Sequence, residues 1–374
     1  MSSLPKYTQG TGYRIYHSVL NKETVNKIFT HVTLEICFFA LGDHTSSFIE
    51  KLGMDTTRLI CDSHYRKDLG VLDSVIRRKG NSRESKVLKK SGKTSLYLSV
   101  HIRDLIRRNK LVYNIFKELY GTYKLAFTNG LDYLIFKPLG TEDSPPILNC
   151  KIFEPLEVAT SLNNPYHYVC FVVISSNSNV GEECGQLHLL LNFDLYYELI
   201  QQIICPHGKY PIAKQKKNIE VSLLENFNLK MINKELERII NSNPLYGEFQ
   251  PLRWVTVPVK NGDVLIFDCR IPYMTSKNKH KHPTMYVPVS LRPVDNNWYS
   301  SNKRKELVNG IQNGKVGNWN KRTFKSCNID EFNWRNNETV LKYANIITCL
   351  DTNSFSDHDK RIFGLLEYDN SAKS

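Results

Sequence analysis

The segment Val257-Pro258-Val259-Lys260-Asn261-Gly262-Asp263-Val264-Leu265-Ile266-Phe267-Asp268-Cys269-Arg270-Ile271-Pro272-Tyr273 places an Asn-Gly-Asp turn between two apolar runs. Glycine reaches the left-handed conformations that tight turns need, so a Gly-Asp pair between apolar runs is a common hairpin device. Outward from it, short β-branched and aromatic runs separated by Gly, Pro, Asn and Ser recur. They lie at Tyr123 to Phe127, Asp132 to Phe136, Ile147 to Phe153, Tyr166 to Ser175, Gln186 to Phe193, Trp254 to Val259, Asp263 to Phe267 and Met285 to Arg292. Together they predict a sandwich or barrel-like β core, within an α+β or mainly β class. Helices are expected where apolar residues return every three or four positions. The clearest runs over Leu98 to Tyr120 and ends at Gly121; others cover Leu20 to Thr30, Leu195 to Ile204, with Leu195, Leu199 and Ile203 on one face, and Lys303 to Ile311.

The chain has 374 residues, and a single core stops growing near roughly 250–300, so one main domain with elaborations is expected. Apolar residues make up 41% and charged residues 23%, an ordinary globular composition. No stretch nears the roughly 18 consecutive apolar residues of a membrane span. Met1-Ser2-Ser3-Leu4-Pro5-Lys6-Tyr7 lacks the apolar segment of a signal peptide, so the expectation is an intracellular protein of cytoplasm or nucleus, not a secreted one. The nine cysteines are scattered without a CxxC pair, which predicts small buried hydrophobes in a reducing compartment.

Lys and Arg number 50 against 37 Asp and Glu, for a net charge of +13, which attracts polyanions without specifying a fold. The densest basic stretch, with Arg77, Arg78, Lys79, Arg83, Lys86, Lys89, Lys90 and Lys93, is punctuated by Gly and Ser and reads as an exposed loop. It is the candidate polyanion or nucleic-acid site, set against the plainer reading of a solvated loop. Arg103, Arg107, Arg108 and Lys110 read as the wet face of an amphipathic helix. Cys184, His188, Cys205 and His207 offer zinc's ligand types, but Cys205-Pro206-His207 is no known knuckle spacing. The abundance of Asn, Lys and Ile suggests an AT-rich coding sequence, as in many large DNA viruses and some AT-rich microbes.

Three stretches together resemble the phytanoyl-CoA dioxygenase branch of the iron/2-oxoglutarate oxygenases. The turn and strand from Val257 to Tyr273 look like those that deliver that family's second metal-binding histidine. Gly185-Gln186-Leu187-His188-Leu189-Leu190-Leu191-Asn192-Phe193 resembles the strand after its first metal motif, and Tyr286-Val287-Pro288-Val289-Ser290-Leu291-Arg292-Pro293 its final barrel strand. The resemblance covers about Leu98 to Arg322. It implies a double-stranded β-helix (jelly-roll, cupin-like) core with flanking helices over 98–322, a helical or irregular N-terminal elaboration over 1–97 and a C-terminal extension over 323–374.

Such oxygenases hold iron(II) with two histidines and a carboxylate and leave open positions for 2-oxoglutarate and oxygen. Among the 11 histidines none opens the HxD or HxE triplet that supplies the first histidine and the carboxylate. The resemblance places that triplet near Glu154-Pro155-Leu156-Glu157, where Glu157 takes the carboxylate position and Pro155 stands in place of histidine. Tyr273 stands where the second histidine is expected, five residues before Asn278, an asparagine the family often shows. The arginine that would fork onto the distal carboxylate of 2-oxoglutarate is replaced at His282, Thr284 or Met285, and Arg292 lies too late along the strand. Glu157, Tyr273, Asn278 and Thr284 therefore mark a vestigial pocket.

The expectation is a catalytically inactive member with a structural, scaffolding or binding role, virus-encoded, with protein partners or self-association and without a metal or cofactor. Two rivals stand beside it. One is an active hydroxylase that binds iron and 2-oxoglutarate through a rearranged set, Glu157, His167 and His188 or His280. The other is a basic nucleic-acid-binding β protein.

Overall fold

The structure, a computed structural model, describes residues 6–10, 12–29, 93–94, 105–127, 134–137, 141–144, 146–148, 156–160, 167–176, 183–204, 228–243, 247–280, 283–295, 298, 301–302, 304–305, 308, 316–318, 323–325, 353 and 355–368. Its strands are β1 (Tyr7–Gly10), β2 (Tyr13–Tyr16), β3 (Lys93–Thr94), β4 (Leu125–Phe127), β5 (Leu134–Lys137), β6 (Tyr168–Ser175), β7 (Leu187–Leu191), β8 (Arg253–Thr256), β9 (Val264–Asp268), β10 (Tyr273–Thr275), β11 (Thr284–Val289), β12 (Leu291–Pro293), β13 (Val316–Asn318) and β14 (Thr323–Lys325). Its helices are α1 (22–29), α2 (Lys110–Tyr120), α3 (Leu156–Ala159), α4 (Tyr197–Ile204), α5 (Leu229–Ser242) and α6 (Asp357–Ile362).

Seven strands make an antiparallel sheet in the order β1-β2-β9-β6-β11-β5-β3, and three make a smaller one in the order β10-β7-β8. Bridges from Thr141 to Asn278 and from Ile147 to Tyr273 add a further segment to the edge of the small sheet. The chain alternates between the sheets: β8 is in the small one, β9 in the large, β10 in the small and β11 in the large.

The apolar run of β6 shows why the large sheet is buried on both faces. Side chains alternate across a strand, so Cys170, Val172 and Ile174 join one core while Val169, Phe171 and Val173 join the other. The first core lies under the helices, with Val25 and Ile28 of α1, Val112 and Phe116 of α2, and Ile362 of α6. The second fills the space between the sheets, where Ile135, Phe171, Leu187, Leu189, Phe267, Tyr273 and Tyr286 meet, and continues to Ile200 of α4 and Ile232, Leu236 and Ile240 of α5.

The Gly-Asp turn is present, but it joins strands of different sheets and so is not a hairpin. Gly262 has φ +86°, and a Cβ there would lie 2.4 Å from the carbonyl oxygen of Leu20. The buried Asp263 carboxylate accepts from the N–H groups of Ser18 (3.0 Å) and Lys260 (2.9 Å), tying the exit of β2 to the turn. β2 itself pairs with β9 along its length.

The helix expected over Leu98 to Tyr120 is divided. A helical turn at 105–107 ends before Asn109, whose side chain accepts from the N–H groups of Leu111 (2.9 Å) and Val112 (3.2 Å) and so starts α2 afresh. Residues 98–104 lie outside the described residues, as does most of the stretch 303–311. α2 ends as expected at Gly121, in the left-handed conformation. Leu195 does not share a buried face with Leu199: it sits in the turn before α4 and is 56% exposed.

Arg107 and Arg108 are not a wet face. The Arg107 guanidinium stacks 4.5 Å from the Phe127 ring centroid and that of Arg108 5.0 Å from Phe355, while Arg108 Nε lies 3.2 Å from the buried Asp359. They clasp the C-terminal segment to the helical side of the large sheet. Arg103 lies outside the described residues, and Lys110 is exposed.

Candidate functional site

The residues that mark the expected pocket come from β10, β11 and the loops between them. Tyr273 opens β10, its backbone paired with Ile147 through two hydrogen bonds of 2.8 and 2.9 Å. Its ring is fully buried, with centroids 5.3 Å from Phe171 and 5.6 Å from Phe267, both tilted toward edge-to-face packing. Tyr286 approaches Phe171 from β11 at 6.4 Å. These rings fill the space between the sheets beside the position that the resemblance gives to the second histidine.

Thr284 and Lys137 stand directly opposite each other on β11 and β5. Both are fully buried, and the Thr284 hydroxyl donates to the carbonyl of Gly185 at 2.8 Å. Asn278 joins them: its side-chain amide donates to the Lys137 carbonyl (2.7 Å), its side-chain oxygen accepts from the His280 N–H (2.9 Å), and its backbone N–H donates to Thr141 (3.0 Å). Gly185 lies in the middle with φ +69°; a Cβ there would meet Thr284 Oγ1 at 2.3 Å, Lys137 Cβ at 3.0 Å and Asn278 Cβ at 3.3 Å. Three side chains thus close on a residue that must be glycine.

The Lys137 ammonium donates to the Glu142 carbonyl. Burial pushes its pKa down to about 8, opposed by the nearby carboxylates of Asp143 and Glu142. Around the same end of the sheets, Ser144 and Thr275 exchange two hydrogen bonds of 2.8 Å, and the Ser276 hydroxyl accepts from the Gln186 N–H at 2.9 Å. Lys277 and Lys279 both pair with Glu183 at the exposed rim.

At the opposite end of the sheets, Arg270 forks onto Asp268 with bonds of 2.8 and 2.9 Å and donates to the Asp194 carbonyl at 3.1 Å. Burial, with Asp268 nearby, raises the pKa of Asp194; burial lowers that of His167, against the opposing pull of Asp268. The guanidinium at this end is thus engaged by a carboxylate of its own chain. Arg292 lies outside the space between the sheets, on β12, with its guanidinium 5.5 Å from the Trp298 ring.

Asn278 and Thr284 therefore come together, and Tyr273 lies on the strand leading to Asn278. Glu157 does not join them; it is exposed on α3. The rearranged ligand set is not assembled: His188 bonds Thr256 (3.1 Å) in the small sheet, His280 follows Asn278, and His167 precedes β6. Among the described residues no three His, Cys, Asp or Glu side chains converge as metal ligands would. Pro155, His207, His282, Cys205 and the basic residues Arg77 to Lys90 lie outside the described residues, and of Lys93 only the backbone in β3 is described. Cys170, Cys184 and Cys269 are buried free thiols.

Lys137, Gly185 and the aromatic packing of Phe171, Phe267 and Tyr286 were not among the expected site residues. Lys137 lies one residue past the expected strand Asp132 to Phe136; the run Leu134-Ile135-Phe136 is apolar at both parities, and only the burial of Ile135 two residues earlier shows that Lys137 shares its inward face.

No family model matches the chain, and no curated protein matches it. Among solved structures the chain is similar to the non-heme α-ketoglutarate-dependent carbocyclase SnoK of nogalamycin biosynthesis, at 14% identity over 76% of this chain and 81% of that one, with a TM-score of 0.37. It is also similar to AviO1 from Streptomyces viridochromogenes, at 12% identity over 75% and 90%, TM-score 0.36. A hypothetical protein from Escherichia coli matches at 11% identity over 93% and 99%, TM-score 0.43. No described helix is long and apolar enough to cross a membrane.

Proposed function

We propose that this chain is a double-stranded β-helix protein of the oxygenase type in which packing has replaced the iron centre. On this reading it acts through its surface, as a virus-encoded structural or binding protein. The alternation of β8, β9, β10 and β11 between two facing sheets supports the jelly-roll reading. One observation carries the rest: the side chain at the second-histidine position, Tyr273, is fully buried among Phe171 and Phe267. A phenol held there offers no neutral imidazole, and the surrounding rings offer no ligand atom.

One of the three positions given for the carboxylate-binding arginine, Thr284, supports the same reading. The Thr284 hydroxyl donates a hydrogen bond to the Gly185 carbonyl, and among the described residues Arg270 is forked onto Asp268 and Arg292 stacks on Trp298. On this reading the described residues of the expected site do not fit iron(II) with 2-oxoglutarate, and no reaction step is assigned through them.

Anaerobic loading with iron(II), followed by metal analysis and a 2-oxoglutarate consumption assay, tests this. The expected result is substoichiometric metal and no consumption above the metal-only blank. One iron per chain, or 2-oxoglutarate turnover that is lost in a Tyr273→Phe variant, would overturn the proposal.

A further inference from the structure

The C-terminal segment 355–368 lies across the helical side of the large sheet. Phe355, Ile362 and Phe363 are buried in that core, and the Tyr368 hydroxyl donates to the Leu125 carbonyl at 2.7 Å. Phe363 packs 5.2 Å from Phe127 and 5.0 Å from Phe355. Arg304 holds the far end, donating from Nε to the Gly364 carbonyl (2.8 Å) and from Nη1 to Glu367 (3.1 Å). Arg107 and Arg108 hold the near end, stacked on Phe127 and Phe355.

One titratable ring sits inside this contact. The His358 imidazole stands edge-on to Tyr113 of α2, with centroids 4.5 Å apart and planes at 85°. The ionisable groups that face it are Lys110 and Tyr113 from α2 and Asp359 and Arg361 from its own helix, while β4, with Leu125, Ala126 and Phe127, contributes none. Asp359 is already engaged: its carboxylate accepts from the Ser356 hydroxyl (2.7 Å) and N–H (3.1 Å) and lies 3.2 Å from Arg108 Nε. A proton on His358 would therefore add a cation to a half-buried contact that already holds Lys110 and Arg361.

We propose that the segment 355–368 is a proton-released strap: protonation of His358 weakens its docking on α2 and β4 and uncovers Phe127, Phe355 and Phe363. The sign follows from linkage. Burial is the largest influence on the ring and lowers its pKa below the ordinary 6.5, with Lys110 and Arg361 acting in the same direction against Asp359. The undocked ring binds the proton better, so docking is at full strength above pH 6.5 and is lost as pH falls through that value toward the docked one.

Hydrogen exchange of the full chain tests it, read at the amides of Phe363, Gly364, Leu365 and Leu366, which donate within the strap. After correction for intrinsic rates, their protection is expected to fall several-fold between about pH 7.5 and about pH 5.5, while that of β6 and β9 is unchanged. A His358→Phe variant keeps a ring against Tyr113 and cannot be charged, so its strap should stay protected at both values. An equal fall in that variant, or no fall in the unaltered chain, overturns the proposal. Should His358→Phe fail to fold, an NMR titration of the His358 ring in the unaltered chain decides: a midpoint at or above 6.5, or strap protection that does not fall between 6.5 and the ring's own lower midpoint, is equally fatal.

Discussion

Lys137 and Gly185 show how single residues close the space between the sheets. Lys137 keeps its proton in the unfolded chain up to about pH 10.5 and, folded, releases it near 8, so between these values the unfolded chain holds more protons and stability rises with pH. Lys137→Met removes that dependence and the desolvation of a buried cation. The variant is expected to be more stable than the unaltered chain at neutral pH by about 1–4 kcal/mol. Its advantage should shrink by on the order of 3 kcal/mol by pH 10.5, read from urea midpoints at each pH. Gly185→Ala should act in the opposite direction. A methyl group there meets three buried side chains from a left-handed backbone, and a loss of about 3 kcal/mol or more is expected in the same assay. Neither was legible: the apolar run Leu134-Ile135-Phe136 does not say which parity faces inward at Lys137, and nothing local to Cys184-Gly185-Gln186 reveals that Thr284 and Asn278 close over Gly185.

The turn at Gly262-Asp263 and strand β6 carry the predictions at the level of elements. The Asp263 carboxylate holds the N–H groups of Ser18 and Lys260, so Asp263→Ala should cost about 1–3 kcal/mol and loosen β2, seen as faster amide exchange in Tyr13–Tyr16. Phe171 touches Phe267, Tyr273 and Tyr286 at once, and Phe171→Ala should cost about 3–5 kcal/mol in denaturant unfolding. Most strands were legible, because β6, β7, β9 and β11 are largely apolar runs, broken in β7 by His188, and bounded by turn residues. α5 was also written in the sequence, with Ile232, Leu236 and Ile240 at four-residue spacing after the N-cap Asn228, but it was not among the expected elements. β10 is only three residues long and gains its identity from pairing with β7, which lies far from it in sequence.

For the whole molecule, the net charge of +13 makes polyanions the partner class that composition favours. If the basic segment from Arg77 to Lys93 touches the nucleic acid, neutralising Arg77, Arg78, Lys79 and Arg83 should weaken binding to a nucleic-acid probe. The salt dependence should flatten by about 0.7–0.9 for each phosphate that is no longer neutralised, and an unchanged slope leaves the segment without that role. The sequence by itself determined that the core would be built of short apolar strands, that a tight turn would sit at Gly262-Asp263, and that no HxD or HxE triplet is present, since these follow from residue type and spacing along the chain. Only the tertiary structure decided that Tyr273 lies among aromatic rings, that Thr284 bonds Gly185, and that Arg107 and Arg108 grip the C-terminal strap instead of facing water. Each of these interactions joins residues distant in sequence, and the side chain that fills a given space is set by which strands and helices meet there.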